Sequence, residues 1–205
     1  MATVGGTKTR AVWRRGPVLR VLVIALLAEI GYAALNLSTM APYLEEDRRF
    51  GATVISLVIT AFLLSEAVFK APMGAIADRL GPRKLMTLGP AISVFSALGT
   101  LLIPHNIGAL EVVAFVLLRV LDGLAVAMLW PAAFAQMNAS VDDEDRQGAM
   151  SLLNLCYMVG IALAFPIGGL VNDLSHTTWA GLILAAVLFG ATSMASFLLL
   201  PHRIK

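Results

Sequence analysis

The segment GAIADRLGPRKLM, residues 74–86, joins two long apolar runs, and its reading decides the fold. An apolar helix ends here on Asp78, where the negative end of the helix dipole disfavours an anion. That aspartate therefore requires Arg79, Arg83 or the N-terminus of another helix as compensation. Gly81 permits a tight turn, and Pro82 suits the first position of a new helix. Gly74, one turn earlier, permits a second backbone to come close. The segment is thus a short, positively charged hinge between two helices.

Outward from this hinge the chain is apolar almost throughout. Of its 205 residues, 59% are hydrophobic and 14% charged, with a mean hydropathy of +0.84. A soluble domain of this length lacks the interior to hide so much apolar surface. Stretches long enough to span a bilayer fall at 18–43, 52–77, 85–103, 108–137, 148–171 and 178–200. The first follows a basic tail but is too long for the apolar core of a signal peptide, so it reads as a retained helix. The chain is expected to divide into a tail (1–17), a six-helix membrane domain (18–200) and the start of a linker (201–205).

Orientation follows from lysine and arginine, which resist translocation. Lys8, Arg10, Arg14, Arg15 and Arg20, then Arg79, Arg83 and Lys84, then Arg146, and finally Arg203 and Lys205 all fall on one side. Only Arg48 and Arg49 fall on the other. The expectation is a multi-pass protein of the cell membrane with both termini cytoplasmic. The net charge of +2 is slight and most of the cations sit near the chain ends and in one short loop, so no nucleic-acid footprint is indicated. Cys156 is the single cysteine and can form no internal disulfide. No metal-ligand spacing or phosphate-binding loop is present, so neither a metal, a cofactor nor an ATP-driven pump is expected.

Five charges lie deep inside the spans, away from their ends: Glu29, Glu66, Lys70, Arg119 and Asp122. Glu29 and Arg119 each lie about 16 Å along their helices and so sit near the midplane. Such groups are costly in hydrocarbon and face a bundle interior or a wet cavity. At about 100° per residue, Tyr32, Asn36 and Tyr43 share a side of the first helix with Glu29. Glu66 and Lys70 are spaced for an ion pair, as are Arg119 and Asp122, and the fifth span adds Asn154 and Tyr157. These groups either form a polar pathway or neutralise one another and lock helices together. Glu29, with no cation on its own helix, either carries a proton or is paired across helices; the first state suits a proton carrier. The acid-rich run Asp142–Asp145 is good for the dipole of the helix it precedes, and is expected to pair with Arg79, Arg83 or Lys84 or to remain solvated.

The hinge resembles the loop signature of the major facilitator superfamily, Gly-x-Leu-Ala-Asp-Arg-x-Gly-Arg-Arg/Lys. Gly74, Ala77, Asp78, Arg79, Gly81 and Arg83 match it, Ile76 replaces leucine, and Pro82 replaces a basic residue. Arg119 and Gly123 are similar to the family's Arg-x-x-Gln-Gly motif, with Asp122 in place of glutamine. On the fifth span Gly160, Pro166, Gly168 and Gly169 resemble a drug-antiporter signature, in which Ala164 replaces a glycine; small residues that permit close packing explain the same pattern.

The resemblance implies an all-α fold of two inverted three-helix repeats, with helices one and four lining a cavity and two and five bordering a second half. It implies secondary transport of a small solute by alternating access, proton-coupled efflux included, with the hinge as a conformational switch. The chain stops where a linker to a seventh helix is expected, so it reads as the N-terminal half of a twelve-helix transporter. The alternatives are a half-size protein that pairs with a second copy, and a non-transporting subunit or sensor. An intramembrane enzyme is disfavoured: there is no Gly-x-Ser-Gly, and His105, His176 and His202 lie in loops or the tail. For the topology, a cysteine introduced at Arg79 is expected to react with an impermeant maleimide only after cells are broken; labelling of intact cells would reverse the orientation.

Overall fold

The computed structural model describes residues 12–201. Six helices are long and apolar enough to cross a membrane: α1 (Gly16–Asp47), α2 (Ala52–Leu80), α3 (Pro82–Leu102), α4 (Ala109–Asn138), α5 (Asp143–Ser175) and α6 (Ala180–Leu199). Each extends or trims the expected span by a few residues. Lys8, Arg10, His202, Arg203 and Lys205, named above, lie outside the described residues. Arg20 donates to the carbonyl of Leu199, so the bundle has a terminal end, where α1 begins and α6 finishes, and an opposite distal end.

Prolines punctuate the helices at tolerated positions. Pro82 opens α3 directly after Gly81, whose φ of 88° is accessible to glycine and strained for other residues. Helix α1 is the least regular, with i→i+5 turns over Ala34–Thr39 and Tyr43–Asp47.

The packing has an internal twofold pattern. Helix α2 lies along α4 as α5 lies along α1; α3 sits against α4 as α6 sits against α1; α3 and α6 meet each other. Exchanging α1–α3 with α4–α6 reproduces every one of these relations, as two inverted three-helix repeats require. Helix α1 is the most enclosed, and α2 and α5 leave most of their surface uncovered.

Small residues set these crossings. A Cβ on Gly123 of α4 would run into the Phe62 carbonyl and the Ser65 side chain of α2. Gly74, expected to admit a neighbouring backbone, instead makes only ordinary contact with Pro131, because the closest α2–α4 approach falls at Gly123. On the mirror seam, Gly160, Ala164 and Gly168 of α5 are buried at four-residue spacing. A Cβ on Gly160 would lie 2.6 Å from Cβ and 2.7 Å from Cγ of Glu29, and one on Gly168 would meet Ser38. The small-residue pattern of α5 is therefore the α1–α5 seam.

Gly160→Ala is accordingly expected to lower the melting midpoint in detergent, at a cost of about 1–3 kcal/mol for overpacking. Gly169→Ala, where a Cβ meets nothing within 4 Å, is expected to leave it unchanged or raise it.

Candidate functional site

The charges within the spans separate into two groups. The deeper one is built on α4. Arg119 and Asp122, both fully buried, share a face and pair at 3.1 Å. The second guanidinium nitrogen of Arg119 donates to Ser96 Oγ of α3 at 3.1 Å, and Ser96 donates to the Leu118 carbonyl at 2.8 Å. Ser93, one turn earlier on α3, lies 3.0 Å from the Tyr32 hydroxyl of α1, whose ring packs on Phe189 of α6. Asn36 donates to the Tyr32 carbonyl, and with Ser93 it lies beside the Asp122 carboxylate. Arg119 Nε and Asp122 Oδ1 have no hydrogen-bond partner among the described residues. This group ties α1, α3, α4 and α6 together inside the bundle.

The second group faces the side that α2 and α5 leave open. Glu29 is 5% exposed, with its stem against Gly160 and Trp130 beside its carboxylate. Trp130 meets Tyr157 of α5 edge-on, ring centres 5.0 Å apart. Glu66 and Lys70 of α2 pair at 2.7 Å, and both act electrostatically on Glu29. Asn154 is exposed one turn before Tyr157. Glu29, Glu66, Lys70 and Tyr157 are thus brought together, whereas Arg119, Asp122, Tyr32 and Asn36 belong to the inner group.

Tyr43 belongs to neither. The wide turns of α1 break the regular helical phase, and its hydroxyl instead accepts from Arg48 Nε and Nη2 at 3.0 and 2.8 Å. Arg48, read from sequence as a loop cation, is buried: it pairs with Glu111 of α4 at 3.1 Å and lies over the ring of Phe115. At the terminal end Arg15 pairs with Asp145 at 2.7 Å and with Asp142 at 3.7 Å. The two clamps are mates under the internal symmetry. One joins the starts of α4 and α2, the other the starts of α1 and α5, with the charges exchanged.

Of the acids at the start of α5, Asp142 and Asp145 therefore meet Arg15, and Asp143 pairs with Arg146, rather than with Arg79, Arg83 or Lys84. Arg83 turns to the last turn of α6, donating to the Phe197 carbonyl and stacking on its ring, a favourable place for a cation. Asp78 and Arg79 are exposed, and no hydrogen bond or ion pair joins Asp78 to a described residue. Along with Gly81, Arg83 and Gln136 they line a groove of about 780 Å³ at the terminal end.

Sequence reasoning missed Trp130, Ser93, Ser96 and the Arg48–Glu111 pair. For the serines no signal was available; for Glu111, its place in the first turn of a helix explained it fully.

The sequence profile of the Major Facilitator Superfamily matches residues 21–205. The chain belongs to the Major Facilitator Superfamily. It is a multi-pass membrane protein of a transport family. It is 31% identical over 181 residues to the multidrug efflux pump LfrA of Mycolicibacterium smegmatis, covering 87% of this chain and 34% of the pump. It is 26% identical over 164 residues to the quinolone resistance protein NorB of Staphylococcus aureus, covering 80% of this chain and 33% of that protein. The chain thus spans about a third of the length of these relatives.

Removing Arg48 leaves Glu111 buried without its cation. Arg48→Met is expected to cost about 3–5 kcal/mol in detergent unfolding, and Arg48→Met with Glu111→Leu is expected to recover most of it.

Proposed function

We propose that this protein is a secondary active transporter that exports a small amphipathic solute by alternating access, with Glu29 as its proton-exchanging group. The observation that carries this reading is the setting of Glu29: an acid on the most enclosed helix, fixed by Gly160 and opening onto aromatic rings and a second acid on the uncovered side. An acid in that position alternates between holding a proton and facing a solute, which is what exchange of the two requires. The efflux and drug-resistance names of the similar proteins support the direction and the amphipathic solute.

The uncovered faces of α2 and α5 suit a complementary six-helix half, from further chain or a second copy, with the solute between the halves near the midplane. The terminal end is cytoplasmic on the distribution of basic residues. Exposed and unpartnered, Asp78 is available to a helix N-terminus of that other half, and the Gly81 hinge would hold one state of the rocking cycle until the contact breaks.

The test uses the protein made from its native gene, reconstituted in vesicles with an imposed pH gradient and a fluoroquinolone as solute. Wild type is expected to accumulate the solute, and Glu29→Gln to reduce gradient-driven flux by about a hundredfold while the protein remains folded. Unchanged flux in Glu29→Gln would remove Glu29 from coupling, and absence of flux in wild type would remove the fluoroquinolone reading.

A further inference from the structure

Within the open group, charge does not balance in the usual pairwise way. Two carboxylates, Glu29 and Glu66, share a single ammonium, Lys70. Arg119 cannot serve either acid, being fully buried and bonded to Asp122 and Ser96. Arg20 and Arg83 are engaged with carbonyls of the last turn of α6 at the terminal end. Among the described residues, Lys70 is therefore the cation available at this depth.

The three charged groups differ in freedom. Glu29 is fixed, because its Cβ and Cγ fill the space left by Gly160. Lys70 is a long, flexible side chain, 49% exposed, held at 2.7 Å by Glu66 and within the electrostatic reach of Glu29. Tyr157 from α5 and Tyr32 on α1 both lie within the electrostatic reach of Glu29, and Trp130, edge-on to Tyr157, adds an aromatic face from α4. An aromatic wall beside a net negative charge is a place for an organic cation.

We propose that Lys70 sets the charge selectivity of the transport site: its tethered ammonium shares the two carboxylates with the solute, so that the site accepts one positive charge and refuses two. The inference rests on the transport reading above and deepens it. With Lys70 present, two acids and one ammonium leave room for a monocation. Without it the site complements a dication. When Glu66 is neutralised, Lys70 turns to Glu29 and occupies the solute's place, which makes Lys70 a competitor rather than a structural strut.

Equilibrium binding to the detergent-solubilised product of the native gene tests this, with tetraphenylphosphonium as monocation and methyl viologen as dication. Wild type is expected to prefer tetraphenylphosphonium. Lys70→Met is expected to shift the preference toward methyl viologen by on the order of tenfold, the effect of one half-exposed charge a few ångströms away at a dielectric close to that of water, and Lys70→Arg to retain the wild-type ratio. Glu66→Gln is expected to weaken tetraphenylphosphonium by a similar factor, and adding Lys70→Met to Glu66→Gln to restore it. A structural role for Lys70 predicts no such rescue. An unmoved ratio in folded Lys70→Met, or a double variant no tighter than Glu66→Gln, overturns the inference alone. Failure of folded wild type to bind either cation overturns it together with the reading of this cluster as the solute site.

Discussion

A guanidinium cannot sit unpaired in hydrocarbon, and Arg119, completely buried at mid-helix, is where that constraint presses hardest on this molecule. Its charge requires Asp122 on the same helix and Ser96 on the next, and Ser96 in turn bonds back to α4. α3 is thereby bound to α4 by polar contacts that have no alternative partner in lipid. Ser93 and Tyr32 extend the same network to α1, and Phe189 carries it to α6. Four of the six helices are held by one buried polar group, which leaves α2 and α5 as the elements free to present a second surface.

Against that fixed inner group, the outer one is loose. Glu66 and Lys70 are long side chains on a half-covered helix, and Tyr157 is only partly buried. Full burial marks the charges that are locked away, and exposure marks the pair on the side that α2 and α5 leave uncovered. Glu29 stands between these two regimes: its stem is fixed by Gly160 and its carboxylate faces the mobile side.

The fold was legible in the sequence because spanning length and apolar continuity are one-dimensional properties, and the glycine–proline hinge marks a boundary with its own backbone chemistry. The same-helix pairs were legible too: Glu66–Lys70 and Arg119–Asp122 follow from helical spacing alone. What spacing could not supply was which helices meet. Tyr43 left the Glu29 stripe because i→i+5 turns alter the phase of α1. Arg48 was legible only as a loop cation because its partner lies 63 positions away, and Trp130 looked like any apolar residue until Tyr157 and Glu29 were brought beside it. Arg15 took the acids of α5 for the same reason: the choice between Arg15, Arg79 and Arg83 is made by packing, not by order along the chain.

The two charge-exchanged clamps also bear on how the molecule is built during synthesis. The Arg48–Glu111 clamp becomes possible once α4 has started to emerge, while the Arg15–Asp145 clamp must wait for the first residues of α5. Of these six helices α1 is made first, yet its longest seams are with α5 and α6, the last of the six. Among the six, the helix that carries Glu29 is thus the first to enter the bilayer and the last to find its neighbours. Until the fifth helix arrives its acid has no seat at Gly160, and the insertion machinery or the lipid headgroups must accommodate that carboxyl.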